Sequence, residues 1–155
     1  MTHEEVSDSL RSLAFDFFYW FSRFEFALKE AGIRKSDVVG AKAEPDWNKF
    51  IVANRDAWQP TPAALKLIAE NPKRQIIGEH GLDFREIEFN DQTSELERVV
   101  RLAQAVRNNL FHGGKHGSNF WDDPERMHHL LSTTIAVLDD LAQLGEIESD
   151  YRRLY

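Results

Sequence analysis

The chain has 155 residues, 42% of them hydrophobic and 29% charged, with no cysteine and a formal net charge of -7. That length and mix suit one globular domain spanning 1–155 and exclude a disordered chain or one stapled by disulfides. The acid excess, with a pI near 5.3, excludes whole-surface cationic binding to nucleic acid or anionic lipid but leaves room for a local basic pocket.

The first predicted element runs from about Thr2 to Ala31. Val6, Leu10, Leu13, Phe17, Phe21, Phe24, Leu28 and Ala31 recur at spacings of three and four, the mark of one helical face, and Gly32 supplies a stop. Such a helix would be about 42 Å long. Phe15, Phe18, Tyr19, Trp20 and Phe26 lie off the stripe, so the helix is either central in a bundle or shared with a second subunit. The segment Met1 to Asp8 holds three acids and no Lys or Arg, so neither a signal nor a transit peptide is expected there. No apolar run approaches the ~20 residues of a membrane span. The lack of cysteine suits a reducing cytoplasm.

Two shorter helices follow. Pro45-Asp46-Trp47 opens one through Trp58, with Trp47, Phe50, Ile51 and Trp58 apolar. Thr61-Pro62 opens the other as cap and first helical residue; it carries Leu65, Leu67 and Ile68 and ends at Asn71-Pro72. From Lys73 to Asn90 the apolar residues neither alternate cleanly nor keep a helical period. This stretch reads as a loop or a weak two-stranded excursion turning at His80-Gly81. Helical period returns at Asp91, with Leu96, Val99, Val100, Ala103, Val106 and Leu110 in one stripe, and stops at Gly113-Gly114. Asp123-Pro124 starts a further helix bearing Met127, Leu130, Leu131, Thr134, Val137, Leu138 and Leu141 that closes at Gly145. The charged tail from Glu146 to Tyr155 adds a short turn or two. The expected architecture is all-α: a compact bundle of four or five helices with a long first helix and the excursion near 73–90.

Charge is uneven along this chain. Between Val99 and Trp121 there is no Asp or Glu, while Arg101, Arg107, His112, Lys115 and His116 are all present. Within this basic island stands Arg107-Asn108-Asn109-Leu110-Phe111-His112, followed by Gly113-Gly114. The two consecutive asparagines are poor helix formers this late in a helix. Together these residue types can contact an anion, donate hydrogen bonds and shuttle a proton.

Here the sequence resembles the HEPN superfamily, whose signature is Arg, a polar residue, three more positions, then His, late in one helix of a small all-α bundle. Arg107 to His112 matches that signature with Asn108 at the polar position, and the layout matches over most of the chain. The first helix with Phe21-Ser22-Arg23-Phe24-Glu25-Phe26-Ala27-Leu28-Lys29 is also similar to stand-alone bacterial HEPN proteins. The resemblance implies a metal-independent endoribonuclease of toxin or phage-defence type, working as a homodimer with two copies of the motif in one cleft. A separate nucleotidyltransferase-like protein would serve as antitoxin.

The chemistry fits the residues. RNA is cut when its own 2′-hydroxyl attacks the adjacent phosphate, so no metal-bound water is required. His112 would handle the proton and Arg107 the charge on the phosphorus oxygens, while Asn108 orients phosphate or imidazole. Arg101, Lys115 and His116 would contact RNA. Five residues leave Arg107 and His112 about 140° apart around a regular helix. A last turn distorted at Gly113-Gly114, a wrapped arginine side chain or a dimer would each bring them to one site.

Plainer accounts exist for the same residues. Arg107 reads equally as a surface arginine, and His112 as a terminal histidine favoured by the helix dipole. His112 and His116 have metal-pair spacing, but two glycines lie between them and no carboxylate completes a set, so no metal or other cofactor is expected. His128 and His129 point about 100° apart and read as surface positions. Arg23 and Glu25 either support the cleft or are solvated charges. The alternative functions are a non-catalytic HEPN module binding a nucleotide or partner protein, and a helical scaffold.

Overall fold

A computed structural model describes residues 3–112 and 122–153. Among them are six α-helices and one β-hairpin: α1 Asp8–Glu30, α2 Trp47–Asn54, α3 Pro62–Glu70, β1 Arg74–Gly78, β2 Gly81–Arg85, α4 Glu95–His112, α5 Pro124–Leu144 and α6 Glu148–Arg152. The all-α expectation holds, with the two-stranded excursion where the helical period lapses. No described helix is long and apolar enough to cross a membrane.

Caps decide the helix boundaries, and they correct two of the expected starts. The Ser7 hydroxyl accepts from the Leu10 N–H at 3.2 Å, so α1 begins at Asp8, not Thr2; only a short 3-10 turn, His3–Glu5, precedes it. Ser94 caps the Glu97 N–H at 3.1 Å in the same way, which starts α4 at Glu95 rather than Asp91. At its far end α1 closes with Gly32 at φ +77°: the Ile33 N–H reaches back to Leu28 O and the Gly32 N–H to Lys29 O. That paired closure needs a left-handed residue, so the expected glycine stop is borne out.

The Thr61-Pro62 start of α3 and the Asp123-Pro124 start of α5 both form, each cap accepting from the N–H three residues on. Asn71 ends α3 in the left-handed region at φ +43°, ahead of Pro72. The second helix is shorter than its apolar pattern suggests. It stops at Asn54, whose amide donates to Phe50 O at 2.8 Å, yet Trp58 is still buried beyond its end. Leu65, expected on the apolar face of α3, is exposed; Ala64 is buried in its place. The hairpin is antiparallel with Ile77 opposite Leu82, and its turn falls at Glu79-His80, one residue before the expected position.

The core forms around α5, where all seven stripe residues are buried, and around α4, where all six are. α1 packs mainly on α5 and α6, whereas α4 packs on α2, α3 and α5. Phe24 stacks on Trp47 with centroids 5.0 Å apart, and Phe50 and Tyr151 complete an aromatic cluster. The tail does form a turn, α6, which brings Tyr151 into the core. Its hydroxyl donates to Asp139 Oδ1 at 2.8 Å, and burial, reinforced by that carboxylate, pushes the phenol well above its ordinary value.

Candidate functional site

The motif occupies the last turn and a half of α4, which stays a regular α-helix through His112. The distortion considered as a remedy for the angular mismatch, at Gly113-Gly114, lies outside the described residues. Helical geometry keeps Arg107 and His112 apart but on one outward surface. Taking Arg107 as zero at 100° per residue, Phe111 falls near 40°, Asn108 near 100° and His112 near 140°. These four side chains form one continuous outward arc. The opposite arc, near 200–300°, carries Asn109, Leu110 and Val106, all buried in the fold.

Within that arc Arg107 neighbours both Asn108 and Phe111. Arg107 donates from Nη1 to Asn108 Oδ1 at 3.1 Å, and its guanidinium lies 5.2 Å from the centroid of the Phe111 ring. The Phe111 ring is 6.5 Å from the His112 imidazole. Asn108, Phe111 and His112 are exposed and Arg107 half-buried. The arc thus carries a cation, an amide and an imidazole on one outward surface.

The two asparagines, equivalent on paper, part company in space. Asn108 faces out. Asn109 is 3% exposed, and its amide donates to Lys73 O at 2.7 Å, pinning the approach to β1 against α4. Sequence reading missed this role, although a register matching Leu102 and Val106 already set Asn109 on the buried side.

Arg101 stands nearly two turns before Arg107 and donates to Asn48 at 2.6 Å, Gln104 at 3.1 Å and Glu97 at 3.4 Å. It shares with Arg107 a groove of about 530 Å³ between α4, the end of α1 and the 31–46 loop. That groove holds three lysines the sequence did not single out, Lys29, Lys35 and Lys42. The acid-free run of sequence is not an acid-free place: Glu25, Glu44 and Asp46 also line it. Glu25 accepts from Trp47 Nε1 at 3.1 Å, so of the two α1 residues considered for the cleft, Glu25 faces it. Arg23 instead donates to the carbonyls of Asp150 and Tyr151, holding α6. The hydrogen bond from Lys42, with the charge of Lys35 alongside, keeps the Glu44 carboxyl below the usual carboxylate range.

Lys115, His116 and the expected Gly113-Gly114 stop lie outside the described residues. His128 and His129 are exposed on α5, and their carbonyls accept from Ser132 Oγ. No group of three or more metal-ligating side chains converges among the described residues.

Beside the motif lies an exposed aromatic face. Phe15 and Phe18 of α1 are 64% and 46% exposed, and Phe111 of α4 is 45% exposed. The Phe18 ring sits 6.4 Å from Phe15 and 5.9 Å from Phe111. Comparison of the chain with family models, curated proteins and solved structures returns no match.

Proposed function

We propose that this chain is a metal-independent endoribonuclease of toxin or phage-defence type, with Arg107, Asn108 and His112 as its catalytic residues. The observation that carries the reading is the outward arc at the end of α4. It presents a guanidinium, an amide and an imidazole to solvent, while the core takes its contacts from the opposite side of the helix.

In the proposed reaction the His112 imidazole takes the proton from a ribose 2′-hydroxyl. The freed oxygen bonds to the adjacent phosphorus, the bond from phosphorus to the 5′-oxygen breaks, and that oxygen receives a proton from an imidazolium. The products are a 2′,3′-cyclic phosphate and a 5′-hydroxyl. Arg107 offsets the charge that grows on the non-bridging oxygens, where a planar fork serves better than a point charge. Asn108 holds Arg107 by its side-chain oxygen and leaves its amide for the phosphate.

A second copy of the chain, docked over Phe15, Phe18 and Phe111, would set two arcs across one cleft and provide one imidazole as base and another as acid. An exposed apolar patch at this position supports that arrangement. RNA as substrate, and a chain without cysteine, fit action in the cytoplasm.

The same aromatic face favours one other reading, a helical module that binds a partner protein or nucleotide without cutting RNA. Cleavage of a mixed RNA pool by wild type, Arg107→Ala, Arg107→Lys and His112→Ala, with melting curves alongside, decides between them. The ribonuclease reading expects losses of about 10²–10⁴ for each variant with the fold intact. Arg107→Lys should rescue poorly. No cleavage by folded wild type would leave the binding module, and full activity in His112→Ala at unchanged melting temperature would remove His112 from the reaction.

A further inference from the structure

We infer that the groove bordered by Arg107, Arg101, Lys29, Lys35 and Lys42 is the track for single-stranded RNA, gripping the phosphates that flank the bond to be cut. The inference rests on the ribonuclease reading for its choice of ligand. Its geometry is independent of that reading.

Three features build the track. The first is charge: in a chain of net charge -7, this groove gathers five cations against three carboxylates. Each carboxylate has a local task. Glu25 holds the Trp47 indole N–H, Asp46 caps α2 by accepting from the Lys49 N–H, and Glu44 lies between Lys35 at 3.7 Å and Lys42 at 3.4 Å. The second is alignment. Arg101, Gln104 and Arg107 form an i, i+3, i+6 ridge covering about 9 Å along α4, roughly two to three nucleotides at the axial spacing of a helical strand. The third is preorganisation of the loop. The lysine-bearing loop is tied to its own base by Lys35 N–H to Glu44 O at 3.1 Å and Asp46 N–H to Ile33 O at 2.9 Å, with a bridge between Arg34 and Pro45. Cations on the α4 ridge and on the loop, with the amides of Asn48 and Gln104 also lining the groove, match a linear polyanion better than a single phosphate.

Glu44 gives this track a distinctive sign. Its carboxylate occupies the two loop lysines that an RNA phosphate would need, so it competes with the ligand. Removing positive charge should weaken binding and removing Glu44 should strengthen it, which a general loss of structure cannot mimic.

The test is fluorescence anisotropy with a labelled 12-nucleotide 2′-O-methyl RNA, which cannot be cut by its own 2′-hydroxyl, over a salt series. Lys35→Gln/Lys42→Gln should bind roughly tenfold more weakly at low salt, with a salt slope shallower by about 1.4 for two lost phosphate contacts. Lys29→Gln, at the last turn of α1, should lose a smaller factor, and Glu44→Gln should bind a few-fold more tightly. Unchanged affinity and slope in the lysine variants, with melting curves unaltered, would overturn the track. Should the loop variant fail to fold, unchanged binding in both Lys29→Gln and Glu44→Gln would overturn it equally. RNA cleavage by wild type with binding insensitive to all four substitutions removes the track alone. Groove-dependent binding without any cleavage of natural RNA removes the ribonuclease reading alone.

Discussion

Asn108 and Asn109 offer a sharp separation of chemistry from architecture, because the two residues are identical and adjacent but face opposite ways. In Asn109→Ala the Lys73 carbonyl loses its 2.7 Å donor at a site where the asparagine is 3% exposed, and a small void opens between α4 and the approach to β1. An acceptor left unpaired in a partly buried place costs about 1–3 kcal/mol, and for a domain of about 150 residues each kcal/mol lowers Tm by about 2–4 °C. A drop of roughly 2–12 °C is therefore expected. Asn108→Ala removes an exposed side chain and replaces a poor helix former by the best, so its stability should stay within about 0.5 kcal/mol of wild type. Its cost should fall on RNA cleavage instead, since it releases the Arg107 guanidinium. Circular-dichroism melting of both variants, with cleavage rates on one RNA substrate, makes the comparison. Equal Tm losses, or a larger loss in Asn108→Ala than in Asn109→Ala, would refute the assignment of faces.

Three further outcomes are expected. Gly145→Ala should destabilise by about 1–3 kcal/mol in thermal melts, because the added Cβ would sit 2.6 Å from Phe50 Cε2, while φ at -82° suits any residue. Tyr151 keeps its proton in the folded state to a higher pH than in the unfolded chain, so its contribution is full below the unfolded value near 10 and fades as pH rises further. Denaturant titrations at pH 8 and above 10 should show a steeper alkaline loss in wild type than in Tyr151→Phe. Light scattering should find a dimer for wild type and a monomer for Phe15→Asp/Phe18→Asp, and a monomeric wild type at micromolar concentration would contradict the shared cleft.

Much of the fold is legible in the chain because apolar period and cap chemistry agree over long stretches. α5 is the clearest case: Asp123-Pro124 opens it, a stripe from Met127 to Leu141 buries it, and Gly145 closes it. Where the two signals conflict, the cap prevails. Val6 continues the apolar period of α1 and Asp91 opens that of α4, but the hydroxyls of Ser7 and Ser94 satisfy the first N–H groups further along. The motif was legible as a string, and its outward face follows from 100° per residue. The groove was not. Lys29, Lys35 and Lys42 join Arg101 and Arg107 only after the loop folds back on α1, across more than fifty positions of sequence. The carboxylates that temper those cations were hidden for the same reason, which is why an acid-free run overstated the local positive charge.

The central claim, cleavage by attack of the 2′-hydroxyl under Arg107 and His112, is tested most directly by the chemistry of the product ends. RNA incubated with the protein in excess EDTA should yield fragments ending in 2′,3′-cyclic phosphate and beginning with 5′-hydroxyl, read by mass spectrometry. His112→Ala should slow their appearance by about 10²–10⁴. Fragments carrying 5′-phosphate, or activity that vanishes in EDTA and returns with magnesium, would contradict it.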